Sequence, residues 1–226
     1  MKIIKKENIY IVIPAYNEGP KIGEVILNLK NYGYNIVAVD DGSKDNTFDI
    51  IRNHTNHAIR HPFNMGQGAA IQTGLDYANL LGADIAITFD ADGQHQAEDI
   101  QKLIQPILNE GVDAVFGSRF LGKTINMPKI RGKFIKLATV FFGMVSGIKL
   151  SDANCGIRAF NRKSIQQIKI TQNRMAHTLD IIEQVSINKL SYCEVPVTIE
   201  YSEYSLKKGQ SLGGSLKIFI DWIMRL

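Results

Sequence analysis

From Tyr10 onward, short apolar runs rich in Val and Ile alternate with segments whose apolar residues recur at helical spacing, and this order constrains the fold more than any other feature. Strands separated by helices pair in parallel and take helical cover, so the pattern predicts an α/β fold: a mainly parallel, Rossmann-like sheet flanked by helices. The expected strands are Tyr10–Ile13, Asn35–Val39, a weak His57–Ile59, a fully buried Ile85–Phe89, and Asp113–Gly117. Between them, Ile22, Val25, Ile26 and Leu29 mark one helix face. Further helices are expected around Phe48–Ile51, from about Gly66 to Leu81, and through Ile100, Leu103, Ile104, Ile107 and Leu108.

A chain of 226 residues, 45% hydrophobic and 21% charged, fits one packed domain and excludes a disordered tail, a collagen-like repeat and a multispanning membrane protein. Cys155 and Cys193 form no CxxC pair, so neither a disulfide framework nor a zinc site is expected, and a reducing compartment fits. The apolar run near the N-terminus is broken by Pro14 and Asn17, which does not suit a signal peptide. Charge is unevenly spread. Between Ala114 and Ser151 there is no acidic residue, while Arg119, Lys123, Lys129, Arg131, Lys133, Lys136 and Lys149 carry positive charge. Such a block suits nucleic acid, an anionic membrane surface or a phosphate ligand, and charge alone does not separate them.

Ligands of parallel α/β sheets bind beyond the carboxyl ends of the strands. Here those ends are acidic: Asp40-Asp41 closes one strand, and Asp90-Ala91-Asp92 another, followed by the polar turn Gly93-Gln94-His95. A single Asp-Gly pair usually caps a turn. Two carboxylates flanking one residue can also hold Mg²⁺ or Mn²⁺, hard cations that take oxygen ligands and share them with phosphates.

Five segments stand in a familiar order: Val12-Ile13-Pro14-Ala15-Tyr16-Asn17-Glu18; Asp40-Asp41-Gly42-Ser43 with Asp45 and Thr47; Asn64-x-Gly66-x-Gly68; Asp90-x-Asp92-x-Gln94-His95; and Gly117-Ser118-Arg119. The chain thereby resembles the family 2 glycosyltransferases of GT-A fold over about residues 9 to 200. It is most similar to the dolichol-phosphate mannosyltransferases and other polyprenyl-phosphate glycosyltransferases. The resemblance implies a single GT-A domain over 1–226, with a nucleotide-sugar-binding half (1–118), an acceptor half (119–210) and an amphipathic C-terminal helix (211–226). It implies that Pro14, Tyr16, Glu18 and Asp41 line the donor's nucleoside pocket and that Asp90, Asp92 and Gln94 hold the metal and the donor diphosphate. Arg119 and Arg131 would contact the acceptor phosphate and, with Asp92, form the catalytic set.

Elementary chemistry is compatible with these roles. An aromatic ring beside a carboxylate can stack on a base and accept from its N–H edge, although a half-buried packing ring would look the same in sequence. Gly66 and Gly68 permit a close backbone approach to a donor, and helix packing explains them equally well. Arg131 is expected to open a helix near Gly132, combining a guanidinium with a helix N-terminus; a solvated basic face is the competing reading.

Two departures stand out. Cys155, within Asp152-Ala153-Asn154-Cys155-Gly156-Ile157-Arg158, replaces a serine common in the family. Ser202 stands where the mannosyltransferases carry an arginine in a mobile loop; Lys207 and Lys208 in that loop are the expected substitutes for its charge. His177, Asp180 and Glu183 are expected on a helix, with Glu183 the counterpart of a family glutamate near the site.

A lipid phosphate acceptor is largely ionised at neutral pH and needs no general base. The expected reaction is thus inverting transfer of a sugar from a GDP- or UDP-sugar to a polyprenyl phosphate, with Mg²⁺ or Mn²⁺ as cofactor and no nucleic-acid partner. A sugar-hydroxyl acceptor would instead need a carboxylate base, for which Asp152 and Asp180 are the candidates. A non-catalytic sugar-nucleotide-binding partner is the third reading. The stretch Phe134–Val145 and the C-terminal helix are both apolar over most of their surface with basic flanks. Both suit a membrane surface, which predicts a cytoplasmic protein peripheral at the inner face of the membrane; the core, a second copy or a membrane-protein partner would cover them equally well.

Overall fold

Ile11, Val12 and Ile13 of β1 (Ile9–Ala15) are all fully buried, which places this strand at the centre of the sheet with helices on both faces. Alternation along it divides the core: Ile11 and Ile13 face one apolar layer and Val12 the other. The computed structural model describes residues 8–173 and 176–208, so the amphipathic helix expected over 211–226 lies outside the described residues.

After β1 come α1 (Gly19–Asn31), β2 (Asn35–Asp40), α2 (Thr47–His54), β3 (His57–Arg60), α3 (Gln67–Leu80) and β4 (Ile85–Thr88). A 3-10 turn, Ala97–Asp99, runs into α4 (Ile100–Glu110), followed by β5 (Ala114–Ile125), α5 (Lys129–Ser146), β6 (Arg158–Asn161), α6 (Arg162–Gln167), α7 (His177–Ile187), β7 (Tyr192–Glu200) and α8 (Glu203–Lys208). The seven strands form one sheet in the order β3-β2-β1-β4-β6-β5-β7. Only β6 runs against the rest, antiparallel to both β4 and β5. This is the expected mainly parallel α/β sheet, with one reversed strand inserted.

Helices α1, α2 and α4 supply Ile22, Val25, Ile26, Ile51, Leu103 and Ile104 to one layer. Helices α3, α6 and α7 supply Ile71, Leu75, Ile165, Ile181 and Ile182 to the other. Burying each such side chain contributes about 1.5–3 kcal/mol, so these two layers, rather than helix propensity, hold the elements together.

The boundaries differ from expectation in three places. β5 continues to Ile125, past the expected Gly117, because it pairs with β7 on both sides of an irregularity between Ser118 and Lys123. α5 starts at Lys129 on an extended Pro128, so Arg131 lies in its first turn with its N–H bonded to the Pro128 carbonyl. The segment expected to be a loop carrying Lys207 and Lys208 contains α8: Ser202 Oγ accepts from the Ser205 N–H, and Glu203 stands in the first turn where the helix dipole favours an acid. The side chains of Lys207 and Lys208 lie outside the described residues.

Candidate active site

The chain leaves β1 toward β2 on one side and later returns as β4 on the other, so the carboxyl ends of β1 and β4 border the crevice where such sheets receive ligands. β1 runs on past its last pairing with β4, at Val12 opposite Thr88. This leaves Pro14, whose missing N–H would spoil a fully paired central strand, at a position where only β2 still pairs with it.

Beyond β4, the turn Asp90–His95 carries the two predicted metal carboxylates. Asp90 Oδ2 accepts from His95 Nε2 at 3.0 Å and Oδ1 from Gln67 Nε2 at 3.0 Å. Asp92 accepts from the backbone N–H of Gln94 at 3.0 Å and from its side-chain amide at 2.6 Å. Burial works to raise Asp90, but the His95 hydrogen bond and the electrostatic pull of His95, Arg158 and His177 prevail and hold its carboxyl below the ordinary range. For Asp92 the balance reverses: burial followed by repulsion from Asp90 outweighs the pull of His95 and the Gln94 N–H and pushes it up to about 6. Two carboxylates that disfavour each other's charge fit a divalent cation, which would relieve that repulsion. Among the described residues no three His, Cys, Asp or Glu side chains converge into a complete site, so a cation held by this pair would draw its other ligands from oxygens such as those of a diphosphate, of Gln94 or of water.

The predicted nucleoside wall is formed by the loops after β1 and β2. Tyr16 is 37% exposed, as a stacking surface requires. The following turn is pinned to the other loop: Ser43 Oγ accepts from Asn17 N–H, and Thr47 Oγ1 from Glu18 N–H, both at 2.8 Å. Glu18 Oε2 also accepts from the Tyr204 hydroxyl at 2.8 Å. Asp41 is turned inward. Its carboxylate accepts from His61 Nδ1 at 2.8 Å, Met65 N–H at 2.9 Å and Gly66 N–H at 2.7 Å, so it shapes the 61–66 loop. Gly68 is needed for packing: a Cβ there would lie 2.0 Å from the Gln172 carbonyl oxygen, and its N–H already donates to Asn173 O.

At the end of β5, Arg119 is buried with its donors engaged. Its Nε donates to Asp152 Oδ2 at 2.5 Å, Nη1 to the Tyr201 hydroxyl at 2.7 Å and Nη2 to Asn154 O at 3.0 Å. The Asp152 carboxylate outweighs burial and raises the guanidinium pKa further. Arg131 approaches from α5 and stacks over the Tyr201 ring, 5.1 Å from its centroid.

Asp152, the first candidate for a general base, has a fully buried side chain in this pair. Asp180, the second, is also buried, and its Oδ2 accepts from Thr171 N–H and Oγ1 and from Gln172 N–H. Glu183 lies on α7 with its carboxyl raised by burial and by Asp180. The Cys155 thiol is buried and pushed up to about 12 by desolvation and then by Asp152, so it is inert at neutral pH.

Four residues near the site are given no individual role by the sequence: Gln67, His61, Tyr201 and the fully buried Arg158. Arg158 Nη2 reaches Ala153 O and Thr178 Oγ1, while its Nε and Nη1 have no hydrogen-bond partner among the described residues. Its signal was present: a lone arginine inside the apolar run Ile157-Arg158-Ala159-Phe160 must answer a buried negative charge.

Comparison with known proteins places this geometry in context. The sequence model described as glycosyl transferase family 2 matches residues 10–169. The UDP-N-acetylglucosamine–dolichyl-phosphate N-acetylglucosaminyltransferase of Methanococcus voltae is 39% identical over 96% of this chain and 95% of its own length. The polyprenol monophosphomannose synthase of Mycolicibacterium smegmatis is 25% identical over 95% of this chain and 86% of its own. Among solved structures, glucosyl-3-phosphoglycerate synthase from Mycobacterium tuberculosis, crystallised with Mn²⁺, UDP and glucosyl-3-phosphoglycerate, superposes with a TM-score of 0.67. That match has 17% identity over 88% of this chain and 74% of the other, and shows the GT-A arrangement of the fold.

Proposed function

Starting from the fact that this chain belongs to glycosyl transferase family 2 and is a glycosyltransferase, we propose that it moves a sugar from a nucleotide-sugar donor to a polyprenyl phosphate of dolichyl type, with inversion. The observation that carries the acceptor is the burial of Asp152 against Arg119. A hydroxyl acceptor needs a carboxylate to remove its proton, and the two carboxylates first in line, Asp152 and Asp180, are spent on internal partners. A phosphate monoester brings its own anionic oxygen and needs no such base. The names of the relatives from Methanococcus voltae and Mycolicibacterium smegmatis point to the same acceptor class.

In this reading Pro14, Tyr16 and Glu18 bind the nucleoside, with Asp41 holding the loop that faces it. Asp90 and Asp92, with Gln94, would hold Mg²⁺ or Mn²⁺, which would supply positive charge to the leaving nucleoside diphosphate. Arg131 orients the lipid phosphate for attack on the anomeric carbon from the face opposite the diphosphate, while Arg119, expected to share that contact, is held inside by Asp152.

The lipid chain calls for an apolar approach beside these arginines, and α5 offers one. Leu137, Val140 and Met144 are 68%, 61% and 72% exposed on the helix that carries Arg131, with Lys133 and Lys136 exposed just before them. No helix among the described residues is long and apolar enough to cross a membrane, so contact through α5 would be peripheral.

The test is transfer from a panel of labelled nucleotide sugars, led by UDP-N-acetylglucosamine, with Mn²⁺ or Mg²⁺, to a short polyprenyl phosphate or to sugar alcohols. Product on the lipid phosphate alone is expected. Product on the sugar alcohols alone would overturn the acceptor.

A further inference from the structure

We infer that Tyr201 is the positioning residue that makes Arg131, rather than Arg119, the cation offered to the acceptor phosphate; this rests on the acceptor proposed above. The two arginines differ in what surrounds them. Arg119 is bound through Nε and its own backbone N–H to Asp152 Oδ2, so its charge is already balanced. Arg131 is half-buried in the first turn of α5, and among the described residues it has no carboxylate partner; its recorded contact is the face of Tyr201.

An aromatic face holds a guanidinium without cancelling its charge and leaves the N–H edge directed away from the ring for an anion. A carboxylate in that place would fix the arginine equally well, but would compete with the phosphate it must bind. Tyr201 is well suited to serve as a rigid platform. It is 1% exposed, its N–H donates to Ile125 O at 3.0 Å, and its phenol oxygen accepts from Arg119 Nη1 at 2.7 Å. One buried ring therefore anchors to the neutralised arginine by its edge and presents the un-neutralised one on its face.

The same short segment also touches the metal turn. Glu200 N–H donates to Gln94 O at 2.9 Å, and Ile199 bridges to His95. The platform is thus fixed relative to Asp90 and Asp92 as well as to the arginines.

The experiment compares wild type, Y201F and Y201L, each with and without R131M, with transfer to a short polyprenyl phosphate as the readout. Y201F keeps the ring, and its KM for the lipid should stay within about 3-fold of wild type. Y201L should raise that KM about 10-fold and leave the KM for the nucleotide sugar unchanged. R131M should then add nothing to Y201L but its full effect to Y201F. A series of mono-, di- and trifluorinated phenylalanines at position 201 keeps the packing while draining the ring face of negative charge, so the lipid KM should climb with each fluorine. This series carries the test should Y201L not fold. A flat fluorine series, or additive effects of Y201L and R131M, would overturn the role of the ring. Wild-type transfer to the lipid phosphate is the control: its absence would overturn the acceptor proposal and this role with it, whereas its presence beside a flat series overturns this role alone.

Discussion

The phenol of Tyr204 donates to Glu18 Oε2 at 2.8 Å, tying α8 to the start of α1 across 186 residues of sequence. Burial and the neighbouring Glu18 carboxylate raise the phenol pKa well above its ordinary value, so the proton stays on the tyrosine throughout the working pH range. Glu18 is one of the residues proposed to face the nucleoside, and here its acceptor is already in use. Y204F should therefore tighten UDP binding about 10-fold by removing an internal competitor, since a hydrogen bond to a charged group is worth at least about 1.5 kcal/mol. Calorimetric titration of the variant with UDP reads this directly; an unchanged or weaker affinity would place the pair outside the donor site.

The pH dependence of metal binding follows from Asp92. A carboxyl raised to about 6 is protonated below that pH and no longer a ligand. Mn²⁺ affinity, followed by electron paramagnetic resonance of the free ion, should be constant above pH 7 and fall about tenfold per unit below pH 6. D92N, uncharged at every pH, should abolish the dependence and lower turnover by at least about 100-fold.

Gly156 and Gly68 make a matched pair. In each case an added Cβ would come within 2.0 Å of an oxygen, Asp90 Oδ2 for Gly156 and the Gln172 carbonyl for Gly68. G68A forces backbone apart and should cost about 1–3 kcal/mol, a fall in Tm of about 2–12 °C. G156A meets a side chain that can swing away. Its melting temperature should change less, while Mn²⁺ binding and transfer fall with the displaced Asp90. Loss of stability without loss of metal binding in G156A would contradict this.

Asp113 governs acid stability. Partial burial works to raise it, but hydrogen bonds from Lys163, Ser191 and Asn161 outweigh that and hold it at about 2. A depressed native pKa adds stability that is present in full above the unfolded value, near 3.8, and lost as pH falls through about 2. The difference in Tm between wild type and D113N should be steady from pH 7 to about pH 4 and close as the pH approaches 2.

Most of the parallel half of the sheet was readable because it obeys local rules. Val12, Val37 and Ile87 lie in short apolar runs that need no partner to be recognised as strands, and the acidic turns after them follow from topology. The pairing of Asp90 with Asp92 in one turn was readable too, since they are two positions apart. What escaped depends on separations that no window of sequence spans. Arg119 and Asp152 are 33 positions apart, and a list of charges does not say whether two of them meet each other or a ligand. Asp41 turning toward His61, Met65 and Gly66 is a similar case, decided by a loop folding back 20 to 25 residues later. The reversed β6 left no sign in its four residues, because an antiparallel strand buried on both faces reads like a parallel one.

That reversal determines how the site can be altered. Six of the strands bring the chain to the ligand edge at their ends, but β6 arrives there at its beginning, with Arg158 opposite Thr88. Residues 152–157 thus form an inbound approach, threaded between the donor strand β4 and the arginine strand β5 and belonging to neither. Because Gly156 in this approach abuts Asp90 while Asp152 and Asn154 grip Arg119, a change here reaches both sides of the proposed site, so the two specificities are bound to shift together.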